Sequence, residues 1–201
     1  MKKISAPKVI AFLEMLHGLQ RVVRVMHVPG EDRFENDIEH SYLLAMSVWY
    51  AIDVFDIPLD RDKAIRYALA HDMAEVYAGD TYVYSKDTEA LATKKTREKD
   101  ARKKLLDIFP EVPTIHEAME RYEDQSDPES IFVRAFDKVM PLLTNYVQDG
   151  RTIKANSVSF SQVVNLKRAT TASSPEVSDL LEQIIELIDK DRERFFGELI
   201  N

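Results

Sequence analysis

Residues 68–80 read ALAHDMAEVYAGD. Of the five histidines in the chain, only His71 is followed directly by an aspartate, Asp72. The pair comes at the polar end of an apolar run, where a buried helix would carry its polar groups into the protein interior. Burying an imidazole and carboxylates together is unfavourable unless a partner compensates their charge and hydrogen-bonding capacity. A divalent cation is such a partner, so this stretch predicts a metal site inside a helical fold.

Two further stretches place polar residues inside an apolar frame. Glu39 and His40 precede SYLLAM, and Asp137 lies within IFVRAFDKVMPLL. An aspartate in the middle of such a helix is rare unless it is paired or binds a ligand. The three stretches together supply a mixed nitrogen and oxygen donor set: His40, His71, Asp72 and Asp137. Such a set suits one Mn²⁺, Fe²⁺, Co²⁺, Ni²⁺ or Zn²⁺ ion and suits Mg²⁺ less well.

Composition limits the other classes of function. The 201 residues suffice for one filled core, and 45% hydrophobic with 31% charged residues is typical of a globular protein. The absence of cysteine excludes disulfides, thiolate metal sites and cysteine nucleophiles, and it fits a cytoplasmic location. The formal charge of −8 argues against a nucleic-acid polymer as partner. No apolar run has the length of a membrane span, and we interpret the basic N-terminus as a helix start and not a signal peptide.

Apolar residues at helical spacing and the scarcity of glycine predict an all-α fold. Asp60 and Asp127 are predicted N-caps. The segment 38–55 is apolar almost all round and is predicted to be a central buried helix, with Trp49, Tyr50 and Phe55 in the core. His116 is expected to be exposed. Helices are predicted over 6–27, 38–55, 61–78, 86–108, 114–123, 128–148 and from 174 onward, with 149–174 a loop or short helix.

The order of these motifs resembles the HD-domain phosphohydrolases, and most closely the bacterial 5′-deoxynucleotidases and the related HD-domain proteins of eukaryotes. The matching elements are LQRVVR at 19–24, EHS at 39–41, HDMAE at 71–75, GD at 79–80 and FDK at 136–138. The resemblance covers about residues 8–148. It implies an HD-domain helical bundle with a metal site in its centre, a single domain over 1–201 with a helical extension over about 150–201, and a homodimer.

The resemblance also implies roles for individual residues. The implied metal ligands are His40, His71, Asp72 and Asp137, and Asp72 is counted with Glu75 as catalytic. Glu75 would position or deprotonate the attacking water, or protonate the leaving oxygen. Arg21 would bind the phosphate, with Arg24 assisting, and Asp80 would contact the sugar. Val22 stands where the bacterial deoxynucleotidases have a tryptophan, so strict selectivity for deoxynucleotides is not carried over.

The implied reaction is hydrolysis of (deoxy)nucleoside 5′-monophosphates to nucleoside and phosphate, by metal-activated water and without a covalent intermediate. Two alternatives stay open: a triphosphohydrolase acting on (deoxy)nucleoside triphosphates, and a non-catalytic nucleotide-binding regulatory module. The intact ligand set and Glu75 favour an enzyme. Basic residues at 94–104 are interleaved with acidic ones, which is typical of a solvated helix face.

Overall fold

The computed structural model describes residues 3–197, most of which are helical. Strands β1 (Val23–His27) and β2 (Phe34–Asn36) form an antiparallel ribbon. The helical fold class is confirmed, and within the described range no helix combines the length and the apolar content of a membrane span. The helices are α1 (Ala6–Leu19), α2 (Asp37–Val54), α3 (Arg61–Ala70), α4 (Glu75–Ala78), α5 (Thr88–Ile108), α6 (Pro113–Asp124), α7 (Pro128–Val147), α8 (Arg151–Ala155), α9 (Phe160–Thr171), α10 (Pro175–Asp189) and α11 (Arg192–Phe196).

The ribbon replaces the second half of the helix predicted over 6–27, and that part of the prediction is wrong. The segment after α1 contains several valines, whose branched side chains favour extended backbone. Its partner strand is only three residues long and gives little signal of its own. The ribbon matters for the site because it brings Arg24 and Glu35 together, with Arg24 Nε 3.2 Å from Glu35 Oε1.

The helix predicted over 61–78 is interrupted at the His-Asp pair. α3 ends at Ala70, and α4 begins only at Glu75. His71 Nδ1 donates to the carbonyl oxygen of Ala68 at 2.8 Å, and a continuing helix would offer that carbonyl to the amide of Asp72. The next turn closes with a shorter-range bond from Glu75 N to Asp72 O at 2.8 Å. His71 and Asp72 therefore lie in a turn between two helices.

Side-chain caps fix where the helices that carry the site begin. Asn36 accepts hydrogen bonds from the amides of Ile38 and Glu39 and forms a capping box at the start of α2. Asp60 accepts a hydrogen bond from Lys63 N at 3.0 Å, and Asp127 heads α7 with a second capping box. The predicted caps at Asp60 and Asp127 are confirmed.

The core is built around α7, which packs against α3, α6, α9 and α10. Val133 and Val139 of α7 are fully buried. The segment 149–174, predicted as a loop or short helix, forms α8 and α9, and Val163 and Val164 of α9 join the same core. The C-terminal helices thus pack onto the part of the chain that holds the ligands. The predicted domain limits at 1 and 201 lie outside the described residues.

α2 is buried on one face only, which corrects the prediction of a central buried helix. Leu44 and Val48 are fully buried on the face toward α3. The opposite face carries an apolar stripe that we call the α2 stripe; its members are Tyr42, Leu43, Met46, Trp49, Tyr50 and Val54, with Phe55 just beyond the helix. Tyr50 is 62% exposed and Phe55 67% exposed. An apolar pattern on all sides shows that a helix is hydrophobic but not which face its own chain covers.

His116 is buried, in contrast to the predicted exposure. It is 7% exposed, and its Nε2 lies 2.8 Å from the carbonyl oxygen of Phe109. The hydrogen bond joins the first turn of α6 to the end of α5, so His116 has a structural role in this connection.

Candidate metal centre

The four predicted ligands come from three parts of the fold and meet at one point. His40 lies on α2, His71 and Asp72 lie in the turn after α3, and Asp137 lies in the middle of α7. Asp137 Oδ1 is 3.0 Å from His40 Nε2 and 3.8 Å from His71 Nε2. Asp72 Oδ2 is 3.0 Å from His71 Nε2 and 4.0 Å from His40 Nε2. The side chains of His40, His71 and Asp137 are at most 6% exposed.

The tautomer of His71 fits a metal ligand. Its Nδ1 donates to the carbonyl of Ala68, so Nε2 is the nitrogen that carries the lone pair when the imidazole is neutral. This Nε2 is buried, has no hydrogen-bond partner among the described residues, and lies 3.0 Å from Asp72 Oδ2. Two electron-pair donors in such proximity need a cation beside them. A divalent metal ion satisfies both atoms, and the donor set therefore fits the group that its residues predict.

Neighbouring side chains orient the ligands. Asp137 Oδ2 accepts a hydrogen bond from the hydroxyl of Tyr122 at 2.9 Å and from Lys138 Nζ at 2.6 Å, which leaves Oδ1 for the metal. Glu35 Oε1 lies 3.7 Å from Nδ1 of His40, the nitrogen that does not face the other ligands. Such contacts fix ring orientation and ligand basicity. The sequence assigned no supporting role to these three residues: Tyr122 and Glu35 come from separate elements, and Lys138, although part of the matching FDK, looks like a surface lysine.

Arg24, and not Arg21, is the arginine at the centre. Arg24 Nη1 lies 3.1 Å from Asp72 Oδ2 and 3.4 Å from Asp37 Oδ1, and its side chain is 15% exposed. Arg21 is exposed and lines a different groove, beside Gly18 and Tyr77. The resemblance gave the phosphate contact to Arg21, with Arg24, expected one helical turn further on, assisting. The β-ribbon changes the direction of the chain after Arg21 and carries only Arg24 to the ligands.

Buried carboxylates surround Asp72. Ligand oxygens of Asp37, Asp72 and Glu75 lie within 4.8 Å of one another. Burial, together with the charge of Asp72, raises the pKa of Glu75 to about 11 and that of Asp37 to about 7. Burial opposes ionisation of Asp72, but His71 and Arg24 hold its pKa below the ordinary value. Asp37 was missed because an acidic residue in the first turn of a helix is usually explained by the helix dipole.

A cavity of about 280 Å³ opens beside this cluster. Arg24, Asp80 and Asp137 line its polar end, and Tyr82 and Tyr84 contribute aromatic rings in edge-to-face contact. The structure therefore brings Asp80, a predicted sugar contact, to the cavity. Apolar lining comes largely from α7, α8 and α9: Pro141, Leu142, Ile153, Val163 and Leu166. The C-terminal helices form one wall of the cavity, so its shape depends on both parts of the chain.

Lys167 of α9 is a buried cation in this wall. It is 7% exposed, and its Nζ donates to the carbonyl oxygen of Lys138. Burial, with the charge of Lys138 nearby, lowers the pKa of Lys167 to about 8. No carboxylate among residues 3–197 lies within 4.0 Å of its ammonium group. In the sequence, this lysine directly follows VVNL, in which three of four residues are apolar.

Comparison with known proteins agrees with this geometry. The sequence model of the HD domain family matches residues 16–178. The chain belongs to the HD domain family. The human and bovine proteins named 5′-deoxynucleotidase HDDC2 are each 33% identical to it over 142 residues, which are 69% of this chain and 67% of each relative. Family membership and the ligand cluster make this HD-domain protein a metal-dependent phosphohydrolase.

A solved structure supports the fold independently. The crystal structure named as a predicted metal-dependent phosphohydrolase from Magnetospirillum magnetotacticum MS-1 has a TM-score of 0.79 to this HD-domain protein at 23% identity. The alignment covers 97% of this chain and 98% of that one, so it includes the C-terminal helices. At this level of identity the match concerns the fold.

Proposed function

We propose that the protein hydrolyses (deoxy)nucleoside 5′-monophosphates to nucleoside and phosphate. The observation that carries the proposal is the buried cluster of His40, His71, Asp72 and Asp137, with Arg24 at its edge and a cavity beside it. The name 5′-deoxynucleotidase, which the relatives carry, supports a nucleoside monophosphate as substrate. The native metal is proposed to be Mn²⁺, Fe²⁺, Co²⁺, Ni²⁺ or Zn²⁺, since two imidazoles favour these ions over Mg²⁺.

The residues around the cluster have distinct parts in this reaction. A bound divalent ion supplies positive charge to the phosphoryl group and lowers the pKa of a bound water. The guanidinium of Arg24 binds phosphoryl oxygens and stabilises the charge that builds up on them. Glu75 takes a proton from the attacking water or gives one to the leaving oxygen. Asp80 contacts the sugar, and Tyr82 or Tyr84 packs against the base.

A second candidate substrate is a (deoxy)nucleoside triphosphate, and the charge of the cavity favours it. Besides Arg24, the cavity is lined by Lys94, Arg134, Lys138 and Lys167. Lys94, Arg134 and Lys138 are paired with Glu98, Glu123 and Asp137, so Lys167 is the lining cation that remains for an additional phosphate. Cleavage would then release nucleoside and triphosphate at the same metal centre.

We also propose that the protein is a homodimer. The α2 stripe is contiguous along α2, and its large apolar side chains are between 42% and 67% exposed. Contiguous exposed apolar surface of this kind marks contact surfaces in soluble proteins. A second copy of this chain, meeting the first through the same stripe, would bury it.

A substrate panel tests the proposed reaction. Purified protein is incubated with deoxy- and ribonucleoside mono- and triphosphates and Mn²⁺, Co²⁺ or Mg²⁺, and release of phosphate, triphosphate and nucleoside is measured. We expect orthophosphate from monophosphates, and no product from the Asp72→Ala variant, which lacks a ligand. Release of intact triphosphate from triphosphates alone would support the second candidate instead. The ratio of ribo to deoxy rates reports the selectivity that Val22 permits.

A further inference from the structure

Lys167 lines the cavity beside the metal centre and comes from α9, in the C-terminal part of the chain. It is 7% exposed, and its Nζ donates to the carbonyl oxygen of Lys138, the residue directly after the predicted ligand Asp137. The ammonium group is therefore close to the ligand cluster, and the charges of Asp137 and Arg24 both act on it. The resemblance to HD-domain phosphohydrolases covers about residues 8–148, so it gives this lysine no role.

The positive charge of Lys167 has no counter-ion in the described part of the chain. No carboxylate oxygen of residues 3–197 lies within 4.0 Å of its Nζ, and the bond to the carbonyl of Lys138 uses one of the three ammonium protons. Burial and the charge of Lys138 lower the pKa of Lys167 to about 8, so most of this lysine is still protonated at pH 7. A buried ammonium without a counter-ion is costly, and an anion in the cavity would offset that cost.

The other cationic side chains of the cavity wall have acidic partners, which distinguishes them from Lys167; they are Arg24, Lys94, Arg134 and Lys138. The hydroxyl of Tyr84, in the same wall, is buried and has no hydrogen-bond partner among the described residues. An ammonium and a hydroxyl that both lack acceptors fit a ligand rich in acceptor oxygens. A phosphoryl group offers such oxygens together with negative charge.

We propose that Lys167 binds a phosphoryl group of the substrate from the side of the cavity that α9 forms. The inference rests on the proposed function for the choice of a phosphoryl group as the ligand, but not on the identity of the nucleotide. A lysine binds phosphate as a point charge, so Lys167 suits either the phosphate at the metal centre or a further phosphate of a triphosphate. The C-terminal helices would then take part in substrate binding as well as in packing.

Binding of inorganic anions tests this role without turnover. Protein loaded with Mn²⁺ and freed of excess ion is titrated with orthophosphate and with tripolyphosphate by isothermal titration calorimetry. We expect Lys167→Met to weaken binding about tenfold or more, as loss of a hydrogen bond between charged groups does elsewhere. Lys154→Met is the matched control and should bind as the unmodified protein does. Lys154 also donates to a backbone carbonyl, that of Arg194, but it is exposed and outside the cavity.

The two anions distinguish the two possible positions of the phosphoryl group. Weaker binding of both anions would assign Lys167 to the phosphate at the metal centre. Weaker binding of tripolyphosphate alone would assign it to a further phosphate of the substrate. Unchanged binding of both anions would overturn the inference.

A second variant and a second measurement separate anion binding from a purely structural role. Lys167→Gln can still donate to the carbonyl of Lys138 but carries no charge, so it should lose anion affinity as Lys167→Met does. Orthophosphate that binds the folded state should raise the unfolding temperature of the unmodified protein more than that of either Lys167 variant. Equal increases in all three proteins would contradict the contact.

The inference and the proposed function can fail separately. If nucleoside monophosphates are hydrolysed while both Lys167 variants bind the anions normally, the proposed function stands and this inference is wrong. If anion binding depends on Lys167 but no nucleotide is hydrolysed, the phosphoryl contact stands and the proposed reaction is wrong.

Discussion

Arg24 is held by carboxylates from three elements: Glu35 of β2, Asp37 of α2, and Asp72 of the turn after α3. A guanidinium with so many acidic neighbours is fixed in place before any substrate arrives. Burial opposes its charge, but Asp72 and Asp80 raise the pKa of Arg24, so it remains a cation. A fixed cation at the mouth of the metal cluster is preorganised to stabilise a phosphoryl group.

Arg24 and Arg21 therefore form a matched pair for mutagenesis. We expect Arg24→Gln to lower kcat/KM by roughly 10²–10³-fold, as removal of a preorganised donor does elsewhere. Arg21→Gln should keep most of the activity, because Arg21 lines a different groove. Steady-state kinetics on the best substrate of the panel measures kcat/KM of both variants. Thermal unfolding shows whether each variant folds. Equal losses in the two variants would contradict the assignment of Arg24.

At the level of single residues, the sequence indicated the four clustered side chains better than the residues around them. His40, His71, Asp72 and Asp137 interrupt apolar segments, and such interruptions are visible without a structure. Asp37 and Tyr122 carry no such mark, since an acidic first turn and a buried tyrosine have ordinary explanations. Arg24 was placed second to Arg21 because the resemblance matched Arg21 to the phosphate-binding arginine of the family, and the extended backbone of β1 was not predicted.

Among the helices, α7 shows most directly how a local signal fixes an element. Its N-cap Asp127 accepts from the amide of Ser130 at 2.9 Å and from the hydroxyl of Tyr67 at 2.7 Å. Lys63 and Arg121 each reach Asp127 Oδ2 at 3.0 Å. One carboxylate thus joins α3, α6 and α7 at the end of the bundle.

Two substitutions at Asp127 separate the contribution of its N-cap hydrogen bond to stability from the contribution of its charge. Asparagine is also a good N-cap, so Asp127→Asn should cost less than Asp127→Ala, which should lower the free energy of unfolding by about 2 kcal/mol. Urea unfolding measures both. If the two variants are equally unstable, the cap contributes nothing beyond the charge.

The charge of Asp127 also makes the stability of the protein depend on pH. Burial opposes ionisation, but the hydrogen bonds from Ser130, Tyr67 and Lys63 hold the pKa of Asp127 below its ordinary value. A carboxylate with a depressed folded-state pKa contributes stability above the unfolded-state pKa, about 4, and loses it as the pH falls further. The stability difference between the protein and Asp127→Asn should therefore be constant near neutrality and shrink below about pH 4. A difference that grows on acidification would contradict this sign.

At the level of elements, the sequence predicted the features that depend on neighbouring residues. It did not predict the features that depend on contacts with residues elsewhere in the chain. Asp60 and Asp127 mark helix starts through bonds to their own next residues. The β-ribbon needs Phe34–Asn36 as a partner for Val23–His27, and three residues carry little pattern. The break after α3 depends on the ring of His71 reaching the backbone one turn earlier, a contact that periodicity does not describe.

For the whole molecule, the α2 stripe is the feature that an isolated chain leaves unexplained. Its residues satisfied the pattern of a buried helix, yet the folded chain covers only the opposite face. Hydrophobic pattern records burial by any partner, so the error in the prediction is itself an argument for a second copy.

Substitution of a residue of the α2 stripe by lysine tests the proposed dimer. We expect the protein to be dimeric in size-exclusion chromatography with light scattering, and Tyr50→Lys to shift it toward monomer, because a charge would be buried at the contact. Val147→Lys is the control, since Val147 is 69% exposed at the end of α7 and lies outside the stripe. A monomeric unmodified protein, or equal behaviour of the two variants, would contradict the proposed contact.

The predicted ligands lie far apart along the chain. His40 and Asp137 are 97 residues apart, so an ion held by both closes a loop of nearly half the polypeptide. A covalent link across a loop of that size lowers the conformational entropy of the unfolded chain. This raises the free energy of the unfolded state by roughly 4–5 kcal/mol. In a chain without cysteine, such an ion would be a reversible link between α2 and α7. A chelator would then act on this protein as a reductant acts on a disulfide-bonded one, loosening two helices that the backbone alone joins only distantly.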